Sequence, residues 1–593
     1  MNDTRTWSKK TNWSGVWGGK KAILAFCTLL LVSSNGFAAD NGKVSKDLQS
    51  SPGSQLVDVI VQYNTTPASK HFNKATAHGA KLKKQFASSN GVVYSLTAAQ
   101  ASQLADDDTD IAYVTPDRPL RATWGGGTDY EAQFEAVNAD VAQGYGYDGS
   151  GIGVAVIDSG IGSHSDLSGR VVYSQDFTGS GTTDDQYGHG THVAGIIGGN
   201  GYRSGAGCSN CTLTYMGVAP AVQLINLKVL DKNGSGTDSN VIAAIQKAIS
   251  LKSTYNIRVI NLSLGRGIFE SYTADPLDQA VEQAWKAGIV VVVAAGNYGR
   301  DNSNGRSGYG TITAPGNDPL AITVGAMRTF GTDTRTDDVP TSYSSKGPSF
   351  IDHVVKPDIV AAGNKVVSLL GPNATLDTNY PSTLVALSEY QSTTSTANST
   401  YYFRLSGTSM AAPQVSGAAA LLLDKNPALT PDQLKARLMK SAYKNIPIYS
   451  TSTDAATGTA YSEQADVFTV GAGYLDIAAA LNNNDSASST VGVAKSPTVT
   501  RNSSGQFVLV TGSSVLWGNS VLWGNSVIWG ANAFSGTSTA GQSVLWGNSV
   551  IWGSYGTQAY SVLWGNSTTA TSVIWGASTS GSSAMSVLTD GDQ

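Results

Sequence analysis

The sequence predicts an α/β domain of three layers, with a central, mostly parallel sheet covered by helices on both faces and a smaller region on either side. Three observations predict this. Between residues 124 and about 484, strand-like runs that are apolar on both faces alternate with helical segments. The 593-residue length exceeds one ordinary core, so attachments are expected. The composition changes abruptly near the carboxyl end: from Asn502 to Thr589 there is no Asp, Glu, Lys, Arg or His.

At the amino end, Lys20 and Lys21 precede the eleven-residue apolar run Ala22 to Val32, followed by Ser33-Ser34-Asn35-Gly36-Phe37-Ala38-Ala39. A basic start, a short apolar run and small residues at a cut site read as a cleavable export signal over residues 1–39. A membrane span needs about twenty apolar residues, so no integral membrane anchor is expected after signal removal. Cys27 lies inside the apolar run, and Phe26 before it is too large for a lipoprotein signal. The chain carries a formal charge of -5; residues 1–39 contribute +4, leaving -9 on the remainder. No basic patch recommends a nucleic acid partner. With 14% charged residues and 66 glycines, the surface is polar, weakly charged and rich in tight turns, as suits an exported protein.

Residues 40–54 are polar and show no periodicity. Residues 55–121 read as a small α+β unit. Gln55 to Tyr63 is a strand, a Lys-rich segment follows, and Gly91 to Leu96 is a second strand. Thr97 caps a helix opening at Ala98, and Ile111 to Val114 is a further strand running toward Pro116 and Pro119. In the central region, strands are expected at Ile152–Ile157, Val259–Leu264 and Ile289–Ala295, and helices at Asn240–Leu251 and Pro276–Ala287. Functional residues of such a sheet gather at the carboxyl ends of its strands. After the signal, Cys208 and Cys211 are the remaining cysteines. In an exported chain such a pair reads as a local disulfide. A zinc site needs about four ligands, and no second Cys or His pair stands ready to complete one.

Seven of the twelve tryptophans lie in the last zone, within recurring Ser-Val-Leu/Ile-Trp-Gly-Asn units. Trp517, Trp523 and Trp529 are six apart, an even period that puts every Trp on one face of an extended strand. Two readings stay open, a stacked β-repeat and a loose tail of adhesive segments.

Three motifs carry chemistry. Val154-Ala155-Val156-Ile157-Asp158-Ser159-Gly160 places an acid at the end of a buried strand, which is costly unless it is paired. Gly188-His189-Gly190-Thr191-His192 supplies an imidazole. Ser406-Gly407-Thr408-Ser409-Met410-Ala411 leads a hydroxyl into a helix of small residues. A hydroxyl is a weak nucleophile until a base takes its proton, and imidazole is suited to that near neutral pH. His189 and His192, three apart, would need a third ligand to hold a metal, and none is at hand.

These motifs, in the order Asp, His, Ser, resemble those of the subtilisin-like serine proteases (subtilases) over about three fifths of the chain, residues 124–484. The resemblance implies a subtilisin-like fold and a catalytic triad of Asp158, His189 and Ser409. Val291 to Asn297 resembles the family segment ending in the oxyanion-hole Asn, giving Asn297 that role beside the backbone N–H of Ser409. It implies substrate-binding segments at Gly234-Ser235-Gly236 and Ser263-Leu264-Gly265, between which a peptide adds as a strand, and an S1 wall of Ala294-Ala295-Gly296. Asp238, near the S4 pocket, then suggests tolerance of polar or basic P4 residues. No cofactor is implied for the chemistry. A structural calcium ligand is implied at Asp166, although the loop Gly199–Tyr215 departs from the family in its length and its Cys pair. The span Val367–Tyr402 is also long; it is either a shaper of the cleft's primed side or a disordered loop. The 55–121 unit resembles the family's inhibitory propeptide, cut near Pro119 to Trp124; the alternative is an accessory domain.

The expected organisation is thus signal 1–39, propeptide 40–122, catalytic domain 123–484 and repeat tail 485–593. The expected function is a secreted serine endopeptidase made as a zymogen, acting on protein or peptide substrates and held by its own propeptide. It is either released or kept at the cell surface by the tail. The competing reading is a surface-binding or structural protein whose repeat tail does the work.

Overall fold

A computed structural model describes residues 43–44, 46–49, 54, 56–85, 90–116, 129–130, 132–302, 306–332, 334–484, 488–501, 507–510, 573–574 and 581–593. The expected signal, the cut region and most of the Trp repeats lie outside these. The chain divides into two compact units, Met1–Pro119 and Leu120–Gln593.

The first unit is built from β1 (Leu56–Tyr63), α1 (Ser69–Ala77), β2 (Lys81–Gln85), β3 (Gly91–Thr97), α2 (Ala98–Asp107) and β4 (Ile111–Pro116). The strands form an antiparallel sheet in the order β2-β3-β1-β4. Alternation puts Val59 and Val61 of β1 into a core shared with Leu96, Ala101, Leu104 and Val114. Thr97 caps α2, and Gln100 answers with its side-chain oxygen on the Thr97 N–H, a closed capping box. The helix α1 and strand β2 occupy the Lys-rich segment, where charge hid any periodicity.

The second unit has an eight-stranded sheet. Its strands are β5 (Gly153–Asp158), β6 (Val171–Asp176), β7 (Gln223–Lys228), β8 (Ile257–Leu262), β9 (Val290–Ala294), β10 (Ile322–Arg328), β11 (Val339–Pro340) and β12 (Ile359–Ala362). The order is β11-β10-β9-β8-β5-β7-β6, with β12 also on β10. Every pairing is parallel except β10 with β11. From β5 the chain moves to β6 and β7 on one side, then crosses to β8 and β9 on the other. That reversal opens a crevice at the carboxyl ends of β5 and β8.

Helices α3 (His189–Gly198), α4 (Asp238–Tyr255), α5 (Pro276–Lys286) and α6 (Thr408–Lys425) cover the sheet. Residues Thr408 to Leu423 of α6 are all buried, and their run of small residues lets the helix lie close against its neighbours. The sheet strands are Val- and Ile-rich on both faces, as parallel strands buried on both sides require.

Two expectations need correction. The span Val367–Tyr402 is not a disordered loop. It contributes to an antiparallel three-stranded sheet of β13 (Val366–Leu369), β14 (Leu384–Ala386) and β15 (Asn398–Leu405). Its alternation was masked by Asn398 and Thr400 on the exposed face and by the buried Ser368 and Ser399. Nor does the unit end at 484. Gly492, Val493 and Ala494 donate their N–H groups to Asp432. Ser496 accepts from the buried Lys435 ammonium at 2.9 Å. That ammonium also meets the Pro319, Leu320 and Ala321 carbonyls, and burial lowers its pKa to about 7. At the far end, Val587 and Leu588 join the main core. These ties are between residues remote in sequence, so composition alone could not place them.

Candidate active site

Asp158 ends β5 and is fully buried. Its Oδ1 accepts the Ser159 N–H at 2.7 Å and pairs with His189 Nδ1 at 2.8 Å. Its Oδ2 has no hydrogen-bond partner among the described residues. With Nδ1 donating to Oδ1, Nε2 carries the lone pair of the ring. His189 opens α3, also fully buried.

A second acid builds this junction. Asp185, fully buried, accepts from Ser159 Oγ (2.8 Å), from the N–H of Tyr187, Gly188 and Thr191, and from Thr191 Oγ1. Burial raises its pKa, and the backbone donors work against that. Ser159 Oγ in turn accepts the Gly190 N–H at 2.9 Å. Asp185 and Ser159 thereby lock the strand that ends in Asp158 to the helix that begins with His189. Sequence reasoning missed this pair, because a carboxylate four residues before a histidine has no distinctive pattern.

Ser409 is the second residue of α6. Its carbonyl accepts from Ser263 Oγ at 2.9 Å; Ser263 Oγ accepts from Asn261 Nδ2, and Asn261 Oδ1 accepts from Ser416 Oγ. This buried chain fastens α6 to the end of β8, and Asn261 was not foreseen. Asn297 lies just past β9. Its Oδ1 accepts the Thr408 N–H at 2.9 Å and Thr408 Oγ1 at 3.0 Å, and Thr408 Oγ1 accepts the Gly296 N–H at 3.1 Å. With Oδ1 occupied, the orientation of the amide is fixed, and Nδ2 is presented on the other side. Gly407 sits at φ +150°, and a Cβ there would stand 3.1 Å from Asn297 Nδ2, close enough to push on that amide.

Gly234 packs against the Tyr187 ring, and Ser235 is held by Asp231 through two hydrogen bonds. The Ser235–Gly236 edge pairs antiparallel with Val573–Ile574 of the repeat zone. Ser263 and Leu264 are buried, and Gly265 leads to Arg266, which bridges the backbone of Ala314. Ala294, Ala295 and Gly296 run directly into Asn297, with the Ala295 N–H on the Val324 carbonyl.

Three of the side chains singled out from the sequence have definite partners. Asp238 is not a free acid for a basic P4 residue: Arg266 Nε meets both its oxygens at 3.0 and 2.8 Å, while Arg266 also holds Asp275. His192 is buried, its Nε2 meets the Val366 carbonyl at 3.1 Å, and burial followed by the neighbouring His189 pushes its pKa down to about 3. Asp166 has a protein donor on each oxygen: its Oδ1 accepts the Arg203 N–H at 2.9 Å and its Oδ2 the Tyr402 hydroxyl at 2.7 Å. Arg203 belongs to the long loop in which Cys208 and Cys211 are joined as a disulfide.

One further group of metal-capable side chains gathers among the described residues, His71, Asp108 and Asp110 of the first unit. His71 Nδ1 accepts the Ala68 N–H, so its Nε2 carries a proton and donates to Asp110 at 3.0 Å. Lys70 and Lys74 pair with the two carboxylates. This is a charge-balanced brace rather than a ligand set.

The architecture sets an acid at a strand end against an imidazole at a helix start, with a serine at the start of a buried helix. Comparison with known proteins agrees. The model of the subtilase family (Peptidase S8) matches residues 149–473. The chain is 36% identical to serine protease AprX of Bacillus subtilis (strain 168) over 371 residues, 62% of this chain and 77% of that protein. It is 34% identical to subtilisin E of the same organism, covering 61% and 78% of the two chains. It is also 34% identical to an extracellular serine proteinase of Thermus sp. (strain Rt41A), covering 62% and 75%.

The chain belongs to the subtilase family. It is a subtilisin-like serine endopeptidase, a hydrolase acting on proteins or peptides. No helix of the described residues is long and apolar enough to cross a membrane.

Proposed function

We propose that Asp158, His189 and Ser409 form a catalytic triad that cleaves peptide bonds through an acyl-enzyme. The observation that carries this is the 2.8 Å contact between two fully buried side chains, Asp158 Oδ1 and His189 Nδ1, in a junction built by Asp185 and Ser159. Ser409 Oγ attacks the scissile carbonyl while His189 Nε2 takes its proton. Asn297 Nδ2 and the Ser409 N–H stabilise the resulting oxyanion. The C–N bond breaks as His189 returns the proton to the leaving amine. Water then repeats the sequence on the ester, restoring Ser409. Asp158 holds the tautomer and stabilises the imidazolium. Side chains and the Ser409 backbone N–H supply this chemistry, and no cofactor enters it.

Peptide binds as a strand between Gly234-Ser235-Gly236 and Ser263-Leu264-Gly265. The pairing of Val573–Ile574 on Ser235–Gly236 supports that edge as one able to accept an added strand. Ala294-Ala295-Gly296 walls the P1 side chain. The first unit acts as the propeptide of a zymogen; its separate core supports independent folding. The amino-terminal pattern Lys20–Ala39 supports export.

Casein hydrolysis by wild type and by Ser409→Ala tests the reading. Loss of hydrolysis and of propeptide removal in the variant is expected. Equal hydrolysis by both would overturn it.

A further inference from the structure

The last residues of the chain reach the two segments that frame the reaction centre. Arg300 lies three residues after Asn297, and Ser406 lies three residues before Ser409. Asp592 is fully buried and forms an ion pair with the buried Arg300. Its Oδ2 also accepts the Ser342 N–H at 2.7 Å. Arg300 is shared with Asp454 at 2.6 Å, and Asp454 pairs with Asp592 as an antiparallel bridge. On the other flank, the Ser406 N–H donates to the Leu588 carbonyl at 2.8 Å. Asn364 closes the frame: its Nδ2 donates to the Asp592 carbonyl at 3.0 Å, and the Asp592 N–H donates to its Oδ1 at 2.8 Å. Lys365, the next residue, donates its N–H to Ser406 Oγ at 2.9 Å.

The fit is close. Gly591 sits at φ +63°, and a Cβ there would lie 2.4 Å from Ser406 Oγ and 2.5 Å from Asn364 Oδ1. A buried carboxylate is costly unless charges and donors meet it. Here they come from Arg300, on the oxyanion side of the site, and from the N–H and Oγ of Ser342.

We propose that Leu588–Asp592 is a positioning clamp for catalysis, with Asp592 as its principal residue. It holds the Asn297–Arg300 segment and the Ser406–Ser409 segment at a fixed separation, so that the Asn297 amide and the Ser409 N–H converge on one oxyanion. Asp592 touches no substrate; it acts through Arg300, and Leu588 acts through Ser406. The inference rests on the roles proposed above for Ser409 and Asn297.

The test uses the full chain as wild type, Asp592→Ala, Asp592→Asn and Gly591→Ala. Active sites are titrated with a fluorophosphonate, and kcat and KM are measured per titrated site on a short chromogenic peptide. Asp592→Ala should lower kcat per titrated site by about tenfold, as expected for misplacement of a donor pair, with KM changed less than about twofold. Asp592→Asn, which keeps the shape and one acceptor, should fall between it and wild type. Normalising to titrated sites removes any loss of folded protein, which a purely structural role would produce. If Asp592→Ala gives no titratable enzyme, Asp592→Asn and Gly591→Ala read the same ratio. Unchanged kcat per site in the variants that titrate overturns the clamp. Failure of wild type to titrate at Ser409 would instead overturn the site on which it rests.

Discussion

Asp158 and Asp166 are both fully buried and lie eight residues apart, yet their surroundings differ in kind. Asp166 gives each oxygen to a donor, the Arg203 N–H and the Tyr402 hydroxyl. Asp158 directs one oxygen to its own neighbour's N–H and to an imidazole, while the other has no partner among the described residues. A fully satisfied carboxylate stabilises the fold. An under-satisfied one beside a titratable base keeps electrostatic capacity for an imidazolium that forms only during reaction. The burial is the same, and the partners decide the role.

The sharpest way to break this comparison is to remove each acid. Asp158→Asn should lower kcat by about 10⁴ while barely moving the unfolding midpoint, because the altered donor pattern favours the wrong His189 tautomer. A loss below about tenfold would place Asp158 with Asp166 as a structural acid. Next in size, Asn297→Ala should cost about 10²–10³ in kcat with little change in KM, the usual effect of deleting one oxyanion donor. An equal rise in KM would mean that Asn297 serves binding instead.

Asp166→Ala should do the converse. Loss of the acceptor for the Arg203 N–H and for the Tyr402 hydroxyl, which keeps Ser204 Oγ at 2.9 Å, should cost about 1–3 kcal/mol in all, measured by urea unfolding in the Ser409→Ala background, with kcat per titrated site in active enzyme unchanged. Cation removal sharpens the same point. A bound calcium at 100-fold over its Kd would contribute about 2.7 kcal/mol, so a chelator-induced drop of that size would show a cation where Arg203 and Tyr402 now donate. We expect no such drop.

The smallest effect concerns pH. Burial raises the Asp318 pKa from its usual value to about 6. A carboxyl with a raised folded-state pKa favours the folded state most below its unfolded pKa and loses that contribution as pH rises toward the folded value. Relative to Asp318→Asn, the wild-type fold should therefore gain stability as pH falls from about 6 to about 4. A difference that does not change over this window would remove Asp318 from the account.

Much of this was legible in the chain. The apolar runs ending at Asp158, Ser263 and Asn297 announced parallel strands, and their carboxyl ends announced the crevice. The Asp, His and Ser motifs were readable because each couples a chemical residue to a glycine-marked turn. The supports of those residues were not readable. Asp185 with Ser159, Asn261 with Ser416, Thr408 with Asn297 and Arg266 with Asp238 are ordinary polar residues whose meaning comes from long-range juxtaposition. Asp592 is the extreme case: its partners Arg300, Ser342 and Asn364 lie more than two hundred residues away, and its own neighbourhood is a low-complexity zone.

The central claim is that Ser409 is the nucleophile made reactive by His189 and Asp158. Peptide mass mapping of the chain after reaction with an organophosphorus fluoride tests it most directly. We expect a single stoichiometric adduct on Ser409 in wild type, and a far slower one in His189→Ala. An adduct on another residue with full loss of activity, or an inactivated enzyme with Ser409 unmodified, would contradict it.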